Sequence, residues 1–138
     1  MKKLTVFIDG ASRGNPGNAS IGIVIYENGN FLMEKGEYIG VGTNNIAEYM
    51  ALIYSLIECI KLKAKNIEIK SDSLLLVKQI KGEYKVKNEF IKKLNIIANK
   101  LIENFNTFEI KYIPREENKK ADKIASEILS YNSLFPSS

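Results

Sequence analysis

The chain opens with three short runs rich in β-branched and aromatic residues, at 3–9, 20–27 and 31–39, set apart by Gly, Asn and Pro. This pattern predicts three strands. The Glu27-Asn28-Gly29-Asn30 stretch between the second and third is a strong hairpin signal, so antiparallel pairing is expected. Beyond it the apolar period lengthens. Ile46, Met50, Ile53, Ile57 and Ile60 recur at spacings of four and three, which predicts a helix capped by Asn44 or Asn45 with its apolar stripe lying on the sheet. A brief strand at 67–72 follows, then a helix from about Ser73 to Lys81 stopped by Gly82. A longer helix over 88–104, a strand at 107–113 and a last helix opening just after Pro114 complete the pattern. Residues 131–138 read as a loosely held tail.

Three antiparallel strands followed by helix-separated strands imply an α/β fold: one mixed five-stranded sheet with helices on both faces, because right-handed crossovers lay the later strands parallel. The simplest order sets strand 67–71 beside strand 3–9, and strand 107–113 beyond it. Neighbouring strands lie about 4.8 Å apart, so Asp9 and Asp72, near the carboxyl ends of adjacent parallel strands, are expected to come together. Open α/β sheets bind ligands at that edge. Two carboxylates so placed repel unless they share a cation or one of them keeps a proton.

Composition narrows the choice of cation. The chain has 138 residues, 45% of them hydrophobic, enough for one domain with its own core. With a single cysteine, Cys59, and no histidine, an internal disulfide and the mixed Cys/His zinc sites are excluded. A metal here needs oxygen ligands. The net charge of +4 permits a polyanionic partner without specifying one. The apolar run before Asp9 is too short for a signal segment and no stretch approaches a membrane span, so a cytoplasmic protein with no membrane association is expected. A monomer is expected too, since the chain shows no spare apolar stripe.

Four blocks, DGASRGNPGNASIG, GTNNIAEYMAL, SDSLLLVKQIKGEYKVKN and PREENKKADKIA, occur in this order. Across residues 4–129 they resemble the ribonuclease H family, type HI. The resemblance implies a ribonuclease H-like fold and a metal-dependent endonuclease that hydrolyses the RNA strand of RNA/DNA hybrids, leaving 5′-phosphates. It places the metal-binding acids at Asp9, Glu48, Asp72 and Asp122. Four carboxylates without nitrogen or sulfur suit Mg²⁺ or Mn²⁺, and two such ions about 3.5 to 4 Å apart would clamp a scissile phosphate. Glu48, in a helix's first turn, would also stabilise the helix dipole by about 0.3 to 1 kcal/mol with no other role.

The resemblance further implies that Asn15, Asn44 and Asn45 contact the minor groove of the hybrid, that Thr43 helps hold a DNA-strand phosphate, and that Gln79 contacts substrate. Gly10, Gly14 and Gly17 are expected to let the backbone approach a ligand and read the RNA 2′-OH, although Asn15-Pro16-Gly17 also makes a good turn by itself. Lys78, Lys81, Lys85, Lys87, Lys92 and Lys93, with Tyr84 among them, suit a surface tracking phosphates, with Lys85 and Lys87 as substrate contacts; the same spacing suits an ordinary solvated helix face. Some family members carry a basic insertion here. In this chain Gly82–Asn88 leads straight into the next helix, so weaker substrate affinity is expected. The loop histidine of many members is also missing, and Arg115 is its nearest substitute. A guanidinium binds phosphate or neutralises a leaving group but shuttles protons poorly; pairing with Glu116 or Glu117 is the alternative. Asn118 is expected to orient the loop or the last helix. Met33, Met50 and Cys59 read as core, and Tyr49 stays open. Two rivals remain: a nuclease of the same fold acting on double-stranded RNA or junctions, and a hybrid-binding module without catalysis.

Overall fold

The computed structural model describes residues 2–134. Its elements are β1 (Lys3–Gly14), β2 (Gly17–Glu27), β3 (Asn30–Gly42), α1 (Asn44–Lys61), β4 (Asn66–Ser71), α2 (Leu74–Ile80), α3 (Glu89–Ile102), β5 (Thr107–Tyr112) and α4 (Lys119–Leu134). A 3-10 turn at Arg115–Glu117 precedes α4. The sheet runs β3-β2-β1-β4-β5, antiparallel in its first two pairings and parallel in its last two, as the topology argument expects. Leu4, Val6, Ile8, Ile21, Ile23, Ile25, Ile67 and Ile69 fill its centre and are almost completely buried.

The first three strands run further than their apolar stretches. β1 continues through Asp9 to Gly14, with residues 10–14 pairing against 17–21, so the expected loop is a two-stranded ribbon closed by a short turn at Asn15-Pro16. Pairing with β2 holds small, polar residues extended where intrinsic preference would not.

Helix α1 packs on the sheet through a different face from the one its isoleucines mark. Ala47, Ala51, Leu52, Leu56 and Cys59 are fully buried, whereas Ile57 is 42% exposed and Ile46, Met50 and Ile60 are only partly buried. Small residues win this face because the helix sits very close to the strands. A Cβ on Gly10 would lie 2.3 Å from the Ala47 carbonyl carbon. Helix α3 then covers α1 from outside, so two sides of the helix are enclosed. The cap is Thr43, whose Oγ1 accepts from the Ile46 N–H at 3.1 Å, rather than Asn44 or Asn45.

Helix α4 covers the opposite face of the sheet. A Cβ on Gly22 would meet the Ala121 carbonyl oxygen at 2.1 Å, and Ser20 Oγ donates to the Ala125 carbonyl at 2.6 Å. The helix begins at Lys119, later than expected, because the 3-10 turn ends at Asn118. It runs on to Leu134, into the expected tail; residues 135–138 of that tail lie outside the described residues. Cys59 is core, its thiol pushed up to about 12 by burial and the neighbouring Glu58 charge, which leaves it unreactive. No described helix is long and apolar enough to cross a membrane.

Candidate active site

The parallel ladder between β1 and β4 ends at Ile8 and Ser71, while β1 continues beside β2. Asp9 is the first residue past that fork on one strand and Asp72 the first past it on the other. The close seat of α1 at Gly10 brings Glu48 to the same place, and Glu48 Oε1 accepts from the Gly10 N–H at 2.6 Å. Carboxylate oxygens of Asp9, Glu48 and Asp72 lie within 4.8 Å of one another. Asp122, in the first turn of α4, approaches Asp9 closely enough to help raise its pKa, and its Oδ1 lies 4.0 Å from Arg115 Nη2. The four acids and Arg115 line one cleft of about 370 Å³.

Electrostatics in this cleft favour neutral carboxyls. Burial, then the Glu48 and Asp72 charges, push Asp9 up to about 9. Burial, then Asp72, push Glu48 up to about 8 against the opposing pull of the Gly10 N–H and Arg115. Asp72 is raised by burial and restrained by its hydrogen bond from Asn118 and by Arg115. A divalent cation that displaces these protons removes the repulsion and finds only oxygen donors. The residues present therefore fit a hard metal ion.

Asn118 is 1% exposed. Its Nδ2 donates to the Ile8 carbonyl at 2.8 Å and to Asp72 Oδ2 at 3.1 Å.

An adjoining groove of about 340 Å³ is lined by Asn15, Thr43, Asn44, Asn45, Ser73 and Leu75 and shares Glu48 with the cleft. Asn15 Oδ1 accepts from the Asn44 N–H at 3.0 Å, tying the β1–β2 turn to the start of α1. Asn45 Oδ1 is buried without a hydrogen-bond partner. Gln79 lines neither depression. Its Oε1 accepts from the buried Tyr49 hydroxyl at 2.8 Å and its Nε2 donates to the Lys85 carbonyl at 3.4 Å, so both residues hold the segment after α2 in place. Lys85 and Lys87 are exposed and stand outside both depressions. Gly10 and Gly17 serve the fold: α1 occupies the space beside Gly10, and a Cβ on Gly17 would lie 1.8 Å from the Arg13 carbonyl oxygen. Gly14, at φ +105°, makes the turn.

Three cleft residues escape the sequence reading, Ala11, Ser12 and Tyr112. Ser12 sits in the stretch expected to be loop, and its Oγ donates to the Gly42 carbonyl at 2.8 Å. Tyr112 ends β5 beside Ser71; its signal was the predicted pairing of β5 with β4.

A family model described as reverse transcriptase-like matches residues 7–128. The crystal structure of RNase H1 from the halophilic archaeon Halobacterium salinarum NRC-1 is similar with a TM-score of 0.91 at 36% identity, over 93% of this chain and 98% of that one. The chain belongs to the ribonuclease H family, type HI. A second similar ribonuclease H structure is that of LC11-RNase H1 in complex with RNA/DNA hybrid, with a TM-score of 0.85 at 38% identity over 90% of this chain and 94% of that one. Among curated relatives, the bifunctional protein Rv2228c of Mycobacterium tuberculosis is 37% identical over 129 residues, 92% of this chain and 35% of that protein. The ribonuclease H domain described here thus spans about a third of that relative's length.

Proposed function

We propose that this protein is an endonuclease that hydrolyses the RNA strand of RNA/DNA hybrids and leaves 5′-phosphates. The observation that carries the reading is the convergence of Asp9, Glu48 and Asp72 within 4.8 Å, with Asp122 lining the same cleft, beside a groove lined by three asparagines. The similar structure solved with an RNA/DNA hybrid supports the choice of substrate.

Two Mg²⁺ or Mn²⁺ ions held by the four carboxylates would supply activation of water and stabilisation of charge on the phosphate and the leaving 3′ oxygen. The chain's own residues do the rest. Asp9 on β1 and Asp72 just past β4 hold the centre; Glu48 is oriented by the Gly10 N–H, and Asp122 approaches from α4 on the opposite face of the sheet. Arg115 presents N–H donors at the rim, where its guanidinium neutralises phosphate charge and offers no proton shuttle. Asn15, Asn44 and Asn45 offer amide groups to base edges and to the 2′-OH that distinguishes RNA. One chain supplies every group named, so we take a cytoplasmic monomer as the working unit.

The test is cleavage of a labelled hybrid beside the matching RNA and DNA duplexes, with Mg²⁺, Mn²⁺ or chelator, for wild type and Asp72→Asn. Metal-dependent cutting of the hybrid's RNA strand alone, abolished in the variant, is expected. Cutting of the RNA duplex as well would replace this reading with a broader nuclease, and binding without cutting would replace it with a binding module.

A further inference from the structure

We infer that Asn118 is the positioning residue of this centre: its amide sets the orientation of Asp72 relative to the end of β1, and its backbone fastens the segments carrying Arg115 and Asp122 to the same point. The catalytic consequence rests on the nuclease reading above; the effect on cation binding rests on the geometry alone.

Asn118 stands immediately before α4, where an asparagine ordinarily turns its Oδ1 back to cap its own helix. Here it does not. Oδ1 is buried with no hydrogen-bond partner, and the helix forgoes that cap. Both Nδ2 protons go elsewhere, one to the carbonyl of Ile8, the residue before Asp9, and one to Asp72 Oδ2. The amide orientation is determined by its neighbours. A flipped amide would press Oδ1 against a carbonyl and a carboxylate, three acceptors with no proton between them. No other side-chain hydrogen bond reaches Asp72 among the described residues, so this contact is the directional one that fixes its Oδ2. Meanwhile the Asn118 N–H donates to the Arg115 carbonyl at 2.9 Å and its carbonyl accepts from the Asp122 N–H at 3.1 Å. One buried residue thus bonds Asp72, Arg115 and Asp122 directly and holds the end of β1 through the Ile8 carbonyl next to Asp9; of the cleft's acids only Glu48 is held independently of it.

Groups that orient a metal-binding carboxylate without touching the ion typically matter by about 10- to 100-fold in metal affinity or activity. Asn118→Ser keeps a residue favoured before a helix, and offers a capping hydroxyl, while losing both amide donations; Asn118→Ala loses both donations and offers no cap. The experiment measures Mn²⁺ binding by calorimetry, melting temperature, and kcat and KM on the hybrid for wild type and both variants. Both variants should bind Mn²⁺ about 10- to 100-fold more weakly and lose kcat by a similar factor, with KM for the hybrid held. The serine variant should do so with the smaller change in melting temperature. Wild-type Mn²⁺ affinity in a folded Asn118→Ser, whatever its melting temperature, would overturn the inference. If wild type cuts nothing while the variants still bind Mn²⁺ more weakly, the nuclease reading fails and the positioning role stands.

Discussion

Asp9 shows what gathering carboxylates at one buried point costs a protein. Its carboxyl moves from an ordinary 3.8 to about 9, chiefly through burial and then through Glu48 and Asp72. The folded chain therefore holds a proton on this residue that the unfolded chain has released between those two pH values, and stability falls as pH rises across that window. Stability from this group is fully present below about pH 3.8 and lost as pH passes through about 9. Asp9→Asn removes the group that titrates. In chelator the variant should match wild type near pH 4 and exceed it by about 1 to 2 kcal/mol near pH 8, a difference that denaturant melts across the range would read. Added divalent cation should raise the wild type at pH 8 and leave the variant nearly unmoved. Arg115 belongs to the same scale. Its guanidinium is 82% exposed yet close to Asp122, and neither Glu116 nor Glu117 pairs with it among the described residues. Arg115→Ala should lower kcat on the hybrid by on the order of 10²-fold, and Arg115→Lys should recover only part of that, because a point charge does not reproduce the planar donor set.

At the scale of elements, the centre depends on two close approaches across the sheet. Gly10 lets α1 deliver Glu48 and Gly22 lets α4 deliver Asp122, and in each case a methyl group would meet backbone rather than a yielding side chain. Gly22→Ala should cost about 1 to 3 kcal/mol and reduce metal-dependent cleavage more than hybrid binding, since it displaces the helix bearing one acid and not the groove. Melting and paired kinetic and binding assays would separate the two effects. These approaches also explain which parts of the fold were legible. Strand order and direction followed from alternation and crossover handedness, and with them the meeting of Asp9 and Asp72. The α1 face was misjudged because hydrophobic spacing reports size as well as side: alanines against the strands carry little apolar weight, and Ile57 is large but faces out. The β1–β2 ribbon was hidden because Gly, Ser and Asn read as turn formers until a partner strand holds them. Asp122 sits in the first turn of α4 and Glu48 just past the first turn of α1, which starts earlier than expected; near a helix start an acid is equally expected for the dipole, and only the family resemblance singled them out. Asn118 gave a weak signal for the same reason, since an asparagine before a helix is ordinarily a cap.

The proposed function asks the whole molecule to hold a polyanion against an acidic cleft, and apart from Arg115 no basic residue lines that cleft. Of the lysines between 78 and 93, Lys78 is engaged by Glu83 and Lys92 by Glu89, both at 3.1 Å. Lys81, Lys85, Lys87 and Lys93 form no ion pair among the described residues, and Tyr84 beside them is 49% exposed. The Gln79 hydrogen bond to the Lys85 carbonyl fixes the backbone of this segment without restraining the ammonium groups. An ordinary solvated face would contribute little to substrate affinity, whereas a phosphate-tracking face would lose counterion release with each lysine removed. The Lys85→Ala/Lys87→Ala double variant distinguishes them, because neither residue lines the cleft and kcat at saturating hybrid should hold. If both contact phosphates, the slope of log affinity against log salt should become shallower by about 2, and KM should rise most at low salt, where those contacts are strongest. An unchanged slope would return these lysines to the solvated face and leave the asparagine-lined groove as the principal grip on substrate, in a protein whose compact form provides no basic insertion to compensate.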